Sequence, residues 1–156
     1  MKILRMSADI EIAVDVNQSA SKVFAYFTDW PRQGEWMVGT RVEARAAGEL
    51  GLGRGKNAEI AGFSGIGLIG FWDTMTITNW VEGERVDVLH TGWLVRGTGS
   101  MIVEHVDDRR SRFIWSEQLD IPFGVIGRLG FAILKPLFVA GVLHSLKKFA
   151  HSAERL

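Results

Sequence analysis

Strand parity picks out three side chains that could do acid–base or hydrogen-bonding chemistry. Along Phe71, Asp73, Met75 and Ile77 a carboxylate interrupts an apolar alternation, and Phe113, Trp115, Glu117, Leu119 and Ile121 repeat the pattern. Val86, Val88 and His90 set an imidazole on a third apolar face. If these faces point inward, each polar group needs a partner, a water or a ligand. An unpaired buried carboxylate costs on the order of several kcal/mol and tends to protonate or to find a cation, which is how acid–base groups are tuned. Asp73 or Glu117 would then abstract an acidic proton while His90 polarises a carbonyl or shuttles the proton. The competing reading is structural: a glycine bulge reverses the parity locally, or the three groups simply bond one another.

Two other constellations carry less. Gly65, Gly67 and Gly70 satisfy the G-x-G-x-x-G dinucleotide fingerprint, but that motif must follow a strand and open a helix onto a pyrophosphate. The sequence after it, FWDTMTITNW, is β-branched, aromatic and alternating, so the glycines read as a loop between strands near a cavity mouth. None of the four histidines has a compact ligand spacing, and His144 and His151 fall on the polar face of the last helix. Neither a metal nor a cofactor is expected.

The elements that position these groups follow from periodicity. Ala8 to Val16 alternates as a strand; Ser19 or Ser21 can cap a short helix carrying Val23, Phe24 and Phe27, which Asp29-Trp30-Pro31 stops; a second short turn holds Trp36. Six strands follow: Val38 to Ala46, Lys56 to Phe63, Leu68 to Trp80, Arg85 to Trp93, Val95 to Val106 and Arg112 to Ile121. Short polar turns at Glu82-Gly83-Glu84 and Asp107 to Arg110 make the last strands an antiparallel meander. Glycines 124, 127 and 130 weaken helix formation, so Ile121 to Gly130 reads as a mobile gate. Beyond it, Val139, Val142, Leu143, Leu146, Phe149, Ala150 and Ala153 fall at helical spacing, opposed by lysines and histidines. The apolar run Gly130 to Leu143 is shorter than the roughly 20 residues a membrane span needs and includes Lys135 and Pro136, so it reads as buried helix.

Composition bounds the function. A chain of 156 residues, 47% hydrophobic and 23% charged, is sized for one domain spanning 1–156. Eighteen Lys+Arg balance eighteen Asp+Glu, which leaves no basic surplus to hold nucleic acid or an anionic membrane. Zero cysteines exclude disulfides and thiolate chemistry, and the amino terminus shows no secretory pattern, so the protein reads as cytoplasmic with no integral membrane segment. Eighteen glycines with six tryptophans suggest curved sheet wrapped around a space. Trp72 and Trp80 sit on the opposite parity from Asp73, which suits the outer sheet or an oligomer contact such as a homodimer.

The stretches VFAYFTDWPRQGEWM, ITNWVEGERVDVL, SMIVEHVDDRRSRFIWSEQL and LKPLFVAGVLHSLKKFAHSAE together resemble the START-like polyketide cyclase/dehydrase and lipid-transport superfamily, of the SRPBCC type. The resemblance implies an α+β helix-grip fold: a curved antiparallel sheet of about seven strands around a long carboxyl-terminal helix, with two short helices after the first strand. It also implies a cavity for an apolar or aromatic molecule, such as a lipid, polyketide or hydrophobic metabolite. Its expected lining is Trp36, Phe71, Met75, Met101, Trp115, Phe138 and Val142, with Asp73, His90 and Glu117 as orienting groups. The alternative it allows is a cyclase or dehydratase using those three residues as acid and base.

Overall fold

A computed structural model describes residues 6–156, with side chains from Ala8 onward. The chain begins with β1 (Met6–Val16), followed by α1 (Ala20–Phe27) and a 3₁₀ helix (Trp30–Glu35). Seven strands come next: β2 (Thr40–Gly48), β3 (Gly51–Leu52), β4 (Glu59–Ile66), β5 (Ile69–Val81), β6 (Arg85–Thr91), β7 (Arg96–Asp107) and β8 (Arg110–Ile121). The long helix α2 (Gly124–Ala153) follows. All eight strands join one antiparallel sheet in the order β1-β8-β7-β6-β5-β4-β2-β3. The fold is the expected helix grip, and the eighth strand is the two-residue β3, too short to leave a periodic signal.

The inner face of the sheet is set by the predicted alternation. Ile10, Ile12 and Val16 of β1, Val86 and Val88 of β6, and Phe113 of β8 are buried in one cluster with Val23, Phe24 and Phe27 of α1. Ser19 occupies the N-cap position of α1 without a side-chain cap bond. Pro31 starts the 3₁₀ helix, where its fixed φ suits the first turn, and thereby separates it from α1.

Three expectations are corrected. Trp80 does not face outward: a bulge between Ile77 and Asn79 inserts a residue, reverses the parity of β5, and turns the Trp80 ring onto Phe24 at 5.4 Å, edge to face. The expected break in helix at 124–130 is replaced by the first turns of α2, entered through Phe123 and Gly124, both left-handed at φ 68° and 56°. Nor is the apolar run 130–143 buried. Phe131, Val139, Val142 and Leu143 pack part-buried against the core, while Ile133, Leu134 and Leu137 are exposed; full burial in α2 begins only at Ser145. The helix is thus gripped by its second half. By length and composition alone it could also cross a membrane.

Candidate functional site

Between sheet and helix lies a cavity of about 540 Å³, within the range of ligand pockets. Its wall is apolar: Val42, Ile60, Met75, Val88 and Met101 come from the sheet, and Phe138 and Val142 from α2. Nine of the ten residues expected at the site line it: Phe71, Asp73, Met75, His90, Met101, Trp115, Glu117, Phe138 and Val142. Trp36 does not. It is fully buried behind the wall, edge-on to Trp115 at 6.4 Å and to Phe149 at 4.8 Å, so it braces the lining rather than forming it.

The three polar side chains are joined in one network. The Nδ1 of His90 lies 2.9 Å from both oxygens of Asp73, and its Nε2 lies 2.9 Å from Oε2 of Glu117. The remaining oxygen of Glu117 accepts a hydrogen bond from the Trp115 indole N–H at 3.0 Å. Burial opposes charge on His90, but hydrogen bonds to Asp73 and Glu117, together with their negative charges, outweigh it and push its pKa up to about 10. The ring is therefore an imidazolium at neutral pH, with both N–H groups donating to carboxylates.

The sheet makes this reach feasible through an absence of side chains. Glu117 on β8 and His90 on β6 are separated by β7, where Gly97 stands opposite His90 and Gly99 opposite Glu117. A Cβ on Gly99 would lie 2.8–3.1 Å from the atoms of the Glu117 carboxylate. Gly99 clears the path along which imidazole and carboxylate meet, a role that parity reasoning does not detect, while a Cβ on Gly97 would meet the backbone of Gln118 and Leu119 instead. The signal in the sequence is the Gly97-Thr98-Gly99 repeat inside a strand, where glycine is otherwise unfavourable.

Within the network the groups differ in access. All three line the cavity, but the His90 and Glu117 side chains are only 4% and 10% exposed, whereas that of Asp73 is 17% exposed. Asp73 is thus the member best placed to meet a ligand. Both N–H groups of His90 are committed, so polarisation of a ligand carbonyl by His90 is not supported by this geometry.

Other lining was not anticipated. Gln33, Met37 and Val38, in and after the 3₁₀ helix, close one side, and Gly62 and Ser64 of β4 another. The Gly65–Gly70 motif forms the tip of the β4–β5 hairpin, with Gly67 at φ 62° and Gly65 paired with Gly70. No helix follows it, so the dinucleotide reading is excluded and the glycines serve a tight hairpin. Among the described residues there is no cluster of His and carboxylates suited to a metal.

No protein-family model matches the sequence, and no curated protein matches it. Solved structures do. The Zhui aromatase/cyclase of Streptomyces sp. R1128 aligns over 96% of this chain and 95% of its own, with a TM-score of 0.76 at 15% identity. A START superfamily protein from Mycobacterium smegmatis covers 94% of each chain with a TM-score of 0.66 at 10% identity. A norcoclaurine synthase from Thalictrum flavum, in complex with a transition-state analogue, covers 97% of each with a TM-score of 0.65 at 12% identity. At these identities the likeness establishes the fold: this chain has the START-like helix-grip architecture.

Proposed function

We propose that the chain is a single START-like ligand-binding domain, working in the cytoplasm, that holds an apolar or aromatic small molecule such as a lipid, polyketide or hydrophobic metabolite in the cavity between sheet and α2. The observation that carries this reading is a cavity of about 540 Å³ whose apolar wall bears one polar pole, the Asp73–His90–Glu117 network. Two carboxylates around one imidazolium leave a unit of negative charge, and its accessible edge is Asp73. That edge accepts hydrogen bonds, so the ligand is an apolar body carrying a hydroxyl, phenol or amine donor.

The test uses 2-naphthol and its methyl ether, which differ only in the donor. Both should displace a neutral apolar fluorophore in a saturable one-to-one manner, with 2-naphthol bound more tightly by tenfold or more, as expected for a hydrogen bond to a charged group worth about 1.5–3 kcal/mol. Asp73→Asn should erase the preference. No saturable binding of any apolar probe would overturn the reading.

The alternative is a cyclase or dehydratase, favoured by the carboxylate facing an apolar cavity and by likeness to an aromatase/cyclase. There Asp73 or Glu117 would take the proton. Turnover of a polyketone mimic, lost in Glu117→Gln by roughly 10²-fold on the general-base scale while probe affinity holds, would select it.

A further inference from the structure

The cavity carries a charge that nothing in its wall balances. Both ring nitrogens of His90 meet a carboxylate at 2.9 Å, and each of these hydrogen bonds needs one proton, so the imidazole and its two carboxylates share two protons. Whichever atoms hold them, the three groups together keep a unit of negative charge. Glu117 has no oxygen left for a third proton: one oxygen meets His90 and the other accepts the Trp115 indole N–H. The spare acceptor capacity of the network is therefore on Asp73, its most open member.

No lysine or arginine is among the residues that line the cavity. The neighbouring cations are engaged elsewhere. Arg41 and Arg45 of β2 lie over the ring of Trp72, which alternates with Asp73 along β5 and is outside the lining. Arg96, beside the lining Val95, donates to the Gly92 carbonyl and stands opposite Asp120. Arg128 and Lys135 of α2 line a separate groove that also contains Asp9. Compensation of the pole is thus left to whatever fills the cavity. A neutral apolar molecule would drive water from Asp73 and strand the charge, which opposes binding. A hydroxyl returns one hydrogen bond and no charge, whereas an ammonium returns both. The rings of Phe71, two residues from Asp73 on β5, and of Trp115 also line the cavity and offer π-faces to the same cation. An anion meets repulsion with no cation to relieve it.

We propose that the cavity selects an apolar monocation: an aliphatic or aromatic body carrying one protonated primary or secondary amine, with its N–H groups on Asp73 and its body against Met75, Met101, Phe138 and Val142. This selectivity rests on the ligand-binding function proposed for the same cavity, and narrows its ligand from any hydrogen-bond donor to an ammonium. Carboxylic acids, fatty acids included, are rejected by the same charge.

Three naphthalenes of matched shape test it: 2-naphthylmethylamine, 2-naphthalenemethanol and 2-naphthoate, at neutral pH a cation, a neutral donor and an anion. In displacement of a neutral apolar fluorophore from the full chain, the amine should bind more tightly than the alcohol by roughly tenfold or more, the lower end for a close charge pair, and naphthoate more weakly than the alcohol. Asp73→Asn cancels the net charge and should collapse this ranking. Calorimetry of amine binding in two buffers of different ionisation enthalpy should show no proton exchanged, because the pole is already charged; with the native series it decides the matter even where Asp73→Asn does not fold. Equal affinity of amine and alcohol, tighter binding of naphthoate, a ranking that survives in Asp73→Asn, or release of a proton on amine binding overturns the proposal and leaves apolar ligand binding in place. Displacement by none of the three overturns the ligand-binding function itself, and the selectivity with it.

Discussion

The two ends of the grip are made from the same sheet and the same helix, yet one is filled and the other is hollow. At the filled end Phe149 of α2 lies 4.7 Å from Phe113, 5.1 Å from Tyr26 and 4.8 Å from Trp36, and Phe27 stacks on Phe113 at 5.1 Å. At the hollow end the facing positions are Phe138, Gly141 and Val142 on the helix and Gly62, Met75 and His90 on the sheet. Aromatic side chains close the space where α1 adds a third layer. Glycines and half-buried residues keep it open where no such layer exists. Stability and binding are therefore assigned to opposite halves of one helix.

The largest expected effect tests that division directly. Phe149→Ala removes a fully buried ring at the centre of three aromatic neighbours and should destabilise by about 3–5 kcal/mol in denaturant unfolding. Phe138→Ala, at the hollow end, should cost under about 1 kcal/mol and act on probe affinity instead. Equal losses from the two would break the comparison.

The polar pole should follow in size. His90→Ala leaves Asp73 and Glu117 facing each other without their shared cation and should cost about 3 kcal/mol, in the range for breaking a buried ion pair. Its pH dependence has a definite sign. The pKa of His90 rises from an ordinary 6.5 to about 10 on folding, so its contribution is fully present below pH 6.5 and is lost as pH climbs toward 10. The melting temperature of the native chain should decline through that window, and the His90→Ala variant should lack this part of the decline. A flat native profile would show that the imidazolium is not held as the geometry indicates.

How much of this was legible depends on whether the signal is local. Alternation along β5, β6 and β8 located Asp73, His90 and Glu117 individually, because period two is a property of each strand alone. That they form one network depends on register across β7, which no single segment encodes. Trp80 was misplaced for a related reason: one bulged residue at 78 inverts the parity of everything after it. In α2 the helical period is the same whether the partner is a packed core or open solvent, so the exposure of Ile133, Leu134 and Leu137 left no trace in the pattern. The lining from the 3₁₀ helix had no periodicity to read.

The smallest effect concerns two glycines beside the network, Gly99 against Glu117 and the cavity-lining Gly62 paired with Asp73. At Gly99 a methyl group would press on the Glu117 carboxylate, which is anchored by His90 and the Trp115 indole and has little room to withdraw. Gly99→Ala should cost about 1–3 kcal/mol, the scale of overpacking together with a disturbed buried hydrogen bond. At Gly62 the added Cβ would find Met75 Cε at 3.7 Å and Val42 Cγ2 at 3.9 Å, both ordinary contacts. Gly62→Ala should therefore change stability by only a few tenths to about 1 kcal/mol, in the stabilising direction, since alanine restricts the unfolded chain. Its methyl group nevertheless intrudes on the cavity, so a ligand filling that space should bind more weakly even as the fold gains. Calorimetric melting paired with probe titration reads both quantities. A Gly62→Ala chain that is stabilised and binds the probe unchanged would show that ligand does not occupy the β4 side, and would confine the site to the pole formed by Asp73, His90 and Glu117.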